Sequence, residues 1–390
     1  MQRIALTLVS MLLIASASAQ TASESVSAFT FQMYQKVAEK EKGNIFFSPY
    51  SISSAMAMTY VGAANETQNQ IASTLHFTKD TKTLATSMGG LHQSLLSKNG
   101  KGLELSISNR VWVEQTYKVK CSYKRTLKKR FKTSFGKADF IGNFQSERVK
   151  INDAVATDTK SLIKDLIPQG GLSPITRLVL TNAIYFKGKW EKQFNPERTR
   201  KGDFYVDNST TVSAQYMTSK EQYNYYEDET LMAVELPYSN DITMLVILPA
   251  EGTTISDLGK TLNQQKYQAI TRELYSDEVS LMLPKFKSEA SLTLSNTLKE
   301  MGMPIAFTDD ADFTGISNRN DLKITDVFHK AFIEVSEEGT EAAAATAVVV
   351  GVKSMPMTRT FKANRPFIYI IRDTKTGTPL FIGRLMNPNR

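Results

Sequence analysis

Residues 337–366 read EEGTEAAAATAVVVGVKSMPMTRTFKANRP and decide how the rest of the chain is to be understood. Two carboxylates, Glu337 and Glu338, precede Gly339 and Thr340; Glu341 follows, and then a run of small residues and valines extends to Val352. The run is too short to span a bilayer and lacks the spaced large side chains of a core helix, so it reads as strand material. In alternation, Thr340, Ala342, Ala344, Thr346, Val348 and Val350 share one face, and none is charged or bulky. From Lys353 the character changes: Ser354, Met355, Pro356, Met357, Thr358 and Arg359 mix polar, flexible and proline residues, as an exposed segment does. A buried central strand followed by a turn is one explanation; an apolar strand held outside the fold is the other.

Around this stretch lies an ordinary globular composition. The 390 residues are 41% hydrophobic and 22% charged, which excludes a disordered tail, a collagen or a multi-span membrane protein. Residues 1–19 carry one positive charge, an apolar stretch and a terminal Ala17-Ser18-Ala19, the pattern of a secretory signal peptide. The expected mature chain, 20–390, is one domain, secreted and extracellular, because no Pro/Gly/Ser-rich linker or repeat divides it. Asn65-Glu66-Thr67 and Asn208-Ser209-Thr210 fit the N-glycosylation pattern, used or unused. The single Cys121 permits no internal disulfide and reads as a plain thiol; three scattered histidines leave few ways to build a metal site.

Helical periodicity dominates the first third, with Val26, Phe29, Phe31, Met33, Tyr34 and Val37 forming a seam within 23–40, and a second helix over 51–64. Strand signals follow at Val111–Val113, Leu178–Phe186, Met232–Leu236 and Thr243–Leu248, and the C-terminus reads as a hairpin, PFIYIIRD-TKTG-TPLFIGRL. This is an α+β layout. No catalytic motif survives inspection: Gly259-Lys260-Thr261 lacks the glycine of a phosphate loop, and Asp310, Asp312 and Gly315 lack the terminal Glu of a calcium loop. No metal or cofactor is expected, and His329 has no neighbouring nucleophile motif.

The segment beginning at Glu337 resembles the hinge of the serpins, the serine protease inhibitors. Asn44–Ser53 (NIFFSPYSIS), Leu178–Trp190 (LVLTNAIYFKGKW), Met244–Gly252 (MLVILPAEG), Ala311–Ser317 (ADFTGIS), Val327–Val335 (VFHKAFIEV) and the terminal hairpin match family motifs in order. The resemblance implies the serpin fold: three β-sheets, eight or nine helices and an exposed reactive-centre loop at about 337–361. It implies a suicide-substrate inhibitor rather than an enzyme, with a hinge of Glu337, Glu338, Gly339, Thr340, Glu341, Ala342, Ala343, Ala344, Ala345 and Thr346. Counting seventeen residues from Glu337, the family spacing, places the cleaved bond between Lys353 and Ser354; Arg359 is the second candidate. Lysine there suits a trypsin-like protease, which would stay acyl-linked while residues 340–353 insert into the central sheet. A non-inhibitory carrier or chaperone of the same fold, or a simple polyanion-binding protein, are the alternatives.

By the same resemblance Ser48, Ser51, Asn182 and His329 form a polar cluster beneath the sheet opening, and Trp190 lies at its top. Within a helix matching 149–163, Ala154 stands where relatives usually carry Trp.

The net charge of +8 is local in origin. Residues 115–138 hold nine basic residues and no acid, and without Arg3 and these nine the chain is slightly acidic. Tyr123, Leu127, Phe131 and Phe135 recur every fourth residue and predict an apolar helix seam, leaving Lys124, Arg125, Lys128, Lys129 and Lys132 facing solvent. This face is either plainly solvated or a site for heparin or another glycosaminoglycan. The expected partners are therefore a trypsin-like protease and such a polyanion, with no nucleic acid and no membrane span, for a monomer.

Overall fold

The structure, a computed structural model, describes residues 2–100, 102–339 and 358–390, with backbone alone over 2–20. Helix α1 (Gln2–Lys40) runs without a break from the segment read as a leader into the predicted seam, and Val26, Phe29, Phe31, Met33, Tyr34 and Val37 are all buried. Strand β1 (Ile45–Phe47) leads to α2 (Pro49–Tyr60), whose start combines Pro49 in the first turn with a Ser48 cap accepting from the Ser51 N–H at 3.1 Å. Nearly every residue of α2 is buried, so small Ala and Ser alternate with Met to let neighbours close on all sides. Helices α3 (Asn65–Leu75) and α4 (Thr81–Leu96) follow, then β2 (Leu103–Glu114), α5 (Cys121–Phe131), β3 (Ser134–Ala138), α6 (Phe140–Asp158) and β4 (Leu178–Gly188).

The second half is mostly strand. It contains β5 (Arg200–Tyr205), β6 (Thr211–Glu227), β7 (Leu231–Pro237) and β8 (Ile242–Pro249). Helices α7 (Ile255–Thr261) and α8 (Gln264–Glu273) are followed by β9 (Tyr275–Pro284), β10 (Phe286–Thr293), α9 (Ser295–Glu300) and β11 (Phe328–Val335). The chain ends with β12 (Arg359–Lys362), β13 (Phe367–Asp373) and β14 (Pro379–Leu385).

Three hydrogen-bonded groups of strands result among the described residues. Nine strands form one sheet in the order β1-β14-β13-β8-β7-β6-β9-β12, with β5 on β6; β3-β2-β4 and β10-β11 are separate groups. The predicted C-terminal hairpin is the centre of the large sheet: β8, β13 and β14 are buried at every position, as their unbroken apolar runs require. Tyr369 lies flat over Gly383, where an added Cβ would come within 2.2 Å of its ring.

Two boundaries differ from the sequence reading. Helix α5 stops at Phe131, because Lys132 turns left-handed (φ +53°) and Phe135 enters β3 opposite Val111. The helix expected over 149–163 belongs to α6 and ends at Asp158; Lys160 and Ser161 are left-handed. Ala154 packs beside the cluster of Trp112, Phe140 and Ile151, so its small side chain sits against other apolar groups rather than over a void.

Candidate functional site: the gap between β4 and β11

β4 and β11 approach one another without pairing: no ladder joins Leu178–Gly188 to Phe328–Val335 among the described residues. They are tied at one end, just beyond β11. Ser336 and Gly339 exchange backbone bonds of 2.9 and 3.2 Å, making a tight turn through Glu337 and Glu338. The Trp190 indole N–H donates to the Ser336 carbonyl at 2.9 Å, and the backbone N–H groups of Trp190 and Phe194 donate to Glu338 and Glu337 carbonyls at 2.9 and 2.8 Å. Trp190 is 3% exposed and stacks on Tyr238 with ring centres 4.1 Å apart and planes 13° from parallel. Here a glycine is obligatory: Gly339 has φ +133°, and a Cβ on it would lie 2.0 Å from the Gly188 carbonyl oxygen.

Glu337 anchors the turn from below. Its carboxylate meets Lys285 Nζ at 2.7 Å and accepts from the Thr199 hydroxyl at 2.8 Å. Burial pushes this carboxyl up, but the bonds from Lys285 and Thr199 outweigh it and hold the group below the usual carboxylate range. Neither Lys285 nor Thr199 was marked by any local spacing; both come from distant segments that meet only in the fold.

At the other end of the gap, Ser48, Ser51, Asn182 and His329 come together. The Ser48 N–H donates to His329 Nε2 at 3.0 Å, and the Ser48 hydroxyl donates to the Leu380 carbonyl at 2.6 Å. Ser51 donates its hydroxyl to Asn182 Oδ1, and Asn182 donates in turn to Asn109 Oδ1. Asn109, which the sequence reading omitted, pairs directly with Asn182 across β2 and β4 and donates to the Phe131 carbonyl at 2.9 Å. Its one signal was a polar amide within an otherwise inward-facing stretch of β2. Complete burial lowers the His329 pKa to about 4, so the ring is neutral, with Nε2 an acceptor consumed by a main-chain N–H. That geometry makes His329 a tie between β11 and the start of α2, with no proton-accepting position left over for a nucleophile. Beside it lies a cavity of about 100 Å³, lined by Leu180, Thr181, Leu322, Phe328 and the α2 side chains Ile52 and Met56.

The remaining candidates are dispersed. Thr340, Glu341, Ala342, Ala343, Ala344, Ala345, Thr346, Lys353 and Ser354 fall outside the described residues. Arg359 lies in β12 opposite Val279, with its guanidinium 3.2 Å from Asp277 and 3.6 Å from Glu227, a paired structural position unlike that of bait. On α5, Tyr123, Leu127 and Phe131 are buried, while Arg125, Lys128, Lys129 and Lys132 are exposed and Lys124 half-exposed. Asn208 is exposed in the turn between β5 and β6. Asn65 is exposed too, but its side-chain amide donates to Asp312 at 2.7 Å, and Thr67 is buried with its hydroxyl accepting from the Asp312 N–H. Cys121 is an exposed thiol at the first residue of α5. Among the described residues no group of three metal-ligating side chains occurs, and no helix is long and apolar enough to cross a membrane.

An α+β fold with a large buried sheet, two unjoined strand groups and a clamped turn leading out of their junction defines the class of protein. The family model described as serpin (serine protease inhibitor) matches residues 24–388, and the chain belongs to the serpin family. It is similar to human Serpin B4, 39% identical over 386 residues covering 94% of this chain and 99% of that protein. The leukocyte elastase inhibitor of Xenopus tropicalis is 37% identical, with 94% and 99% covered. Among solved structures, human thyroxine-binding globulin complexed with thyroxine superposes with TM-score 0.86 at 31% identity, covering 95% of this chain and 99% of that one. The relatives thus include a named protease inhibitor and a named hormone-binding protein.

Proposed function

We propose that this protein is a secreted inhibitor of trypsin-like serine proteases that works as a suicide substrate. The protease serine oxygen adds to the Lys353 carbonyl, the bond to the Ser354 nitrogen breaks, and Ser354 leaves as a free amine while Lys353 remains an ester of the enzyme. The freed segment 340–353 then enters between β4 and β11 as a new strand. Fourteen residues at ~3.3 Å each span about 45 Å, enough to carry the acylated protease along the length of the sheet.

The observation that carries this reading is the gap itself: β4 and β11 do not pair with each other, and the segment joining Gly339 to Thr358 starts at its clamped end. The hinge sequence agrees, since Thr340 and Ala342–Ala345 present nothing charged or bulky to one opening face. A carrier of the same fold would not need such a hinge. The test is incubation with trypsin followed by denaturing electrophoresis. A covalent band that is absent for Lys353→Glu supports inhibition; clean cleavage without a complex removes it.

A second reading rests on α5. Its exposed cations suit a sulfated glycosaminoglycan, and salt-sensitive retention on immobilised heparin, lost when Lys124, Arg125, Lys128 and Lys129 are neutralised, is the expected result.

A further inference from the structure

The cationic helix and the gap are not independent. Helices α4 and α5 pack so closely that a Cβ on Gly89 would lie 2.7 Å from the Arg130 carbonyl oxygen, and neither helix contains a single Asp or Glu. Lys124, Arg125, Lys128, Lys129, Arg130 and Lys132 form no ion pair among the described residues. Lys132 is near enough to act electrostatically on the buried His92 of α4, whose pKa is lowered to about 4 by burial first and by this charge second. The surface is therefore uncompensated positive charge across two helices.

Its chemistry narrows the partner. The apolar side chains of α5 point inward, so nothing projects to enter a bilayer or to stack against nucleic-acid bases. Lys124 with Lys128, and Arg125 with Lys129, form two rows whose members stand about 5–6 Å apart, suited to a linear polymer bearing regularly placed anions. An extracellular sulfated polysaccharide fits this description.

From the last residue of α5 a chain of buried hydrogen bonds then reaches both edges of the gap. The Phe131 carbonyl accepts from Asn109 on β2; Asn109 accepts from Asn182 on β4; Asn182 accepts from Ser51. The Ser51 N–H reaches the Ser48 hydroxyl, and the Ser48 N–H reaches His329 on β11. Each member is buried or half-buried, where a broken bond is costly, so displacement of the α5 terminus is felt at the strands rather than absorbed by water.

We propose that a sulfated polysaccharide bound on α5 changes how readily β4 and β11 part, acting through Asn109 and Asn182. The inference rests on the polyanion reading above and adds a regulatory consequence to it. Asn109 and Asn182 are positioning residues: they touch neither polysaccharide nor protease.

The test uses the full chain with a heparin octasaccharide, a desulfated octasaccharide and a DNA duplex as probes. Retention on immobilised heparin and amide hydrogen exchange over 178–188 and 328–335 are measured together. The sulfated octasaccharide is expected to change exchange along both edges by about fivefold or more, a typical coupling, and the desulfated one not at all. Asn109→Ser should keep retention yet lose the exchange change. Neutralising Lys124, Arg125, Lys128 and Lys129 should abolish both. Retention without any exchange change in the unaltered protein overturns the coupling and leaves the polyanion reading standing; absence of retention overturns both. An equal response in Asn109→Ser overturns the relay, and equal retention by DNA overturns the choice of polysaccharide. Should Asn109→Ser fail to fold, Asn182→Ser and the comparison of probes on the unaltered protein still decide the matter.

Discussion

Glu337 shows how much one side chain can hold in place. Its bonds to Lys285 and Thr199 tether the turn from which residues 340–357 depart. Because its folded pKa is lowered, the stability it contributes is present above the unfolded carboxylate range and is lost as pH falls through the lower folded value. Glu337→Gln is therefore expected to cost about 1 kcal/mol at pH 7, the half-exposed Lys285 limiting the gain, and urea midpoints should converge with the unaltered protein toward pH 3. His329 works in the same direction over a different window. Its folded pKa of about 4 lies below the unfolded value, so the unfolded chain takes up the proton first and stability declines as pH falls from about 6.5 to about 4. The full loss is on the order of 3 kcal/mol for so buried a ring, and a His329→Gln protein should show a shallower slope of unfolding free energy over this range; an unchanged slope would count against it. Gly339→Ala forces a Cβ into the Gly188 carbonyl and should free the turn, seen as a red shift of Trp190 fluorescence.

At the level of elements, the start of α2 is where local and long-range structure coincide. Ser48 caps the helix, binds the Leu380 carbonyl and receives the reach of His329. Ser48→Ala removes a cap and leaves a buried carbonyl unpaired, for an expected cost of about 2–4 kcal/mol read as a lower denaturant midpoint at constant m-value. The seams of α1 and the all-buried β8, β13 and β14 were legible because burial on one face or on both writes itself into residue order. The end of α5 was not. Tyr123, Leu127, Phe131 and Phe135 continue the helical spacing, yet pairing of Phe135 with Val111 outweighs continuation, and the left-handed Lys132 makes the turn. Periodicity cannot register a partner strand that lies some twenty residues earlier in the chain.

For the whole molecule the governing quantity is the difference between the segment outside and inside the sheet. Burying Val348, Val349, Val350 and Val352 at ~1.5–3 kcal/mol each sets an upper bound on the order of 10 kcal/mol. Cleavage between Lys353 and Ser354 should therefore raise the thermal midpoint by on the order of 10 °C, because the released strand completes the sheet. Thr340→Arg, by presenting a charged side chain at the first inserted position, should convert the protein from inhibitor to substrate, with trypsin cleaving it and no covalent band forming. Arg359 does not compete for the bond, since its guanidinium is held by Asp277 and Glu227 in β12.

The sequence by itself determined the class of fold, the apolar strands and helix seams, the hinge composition and the location of the basic excess, since each is written in the order of neighbouring residues. Tertiary structure alone decided that Lys285 and Thr199 meet Glu337, that Trp190 stacks on Tyr238, and that Asn109 joins the α5 terminus to Asn182. The reason is physical: periodicity reports which face of an element is buried, but not which remote side chain will share that burial. Hydrogen bonds and ion pairs between segments more than a hundred residues apart exist only once the chain has folded around them.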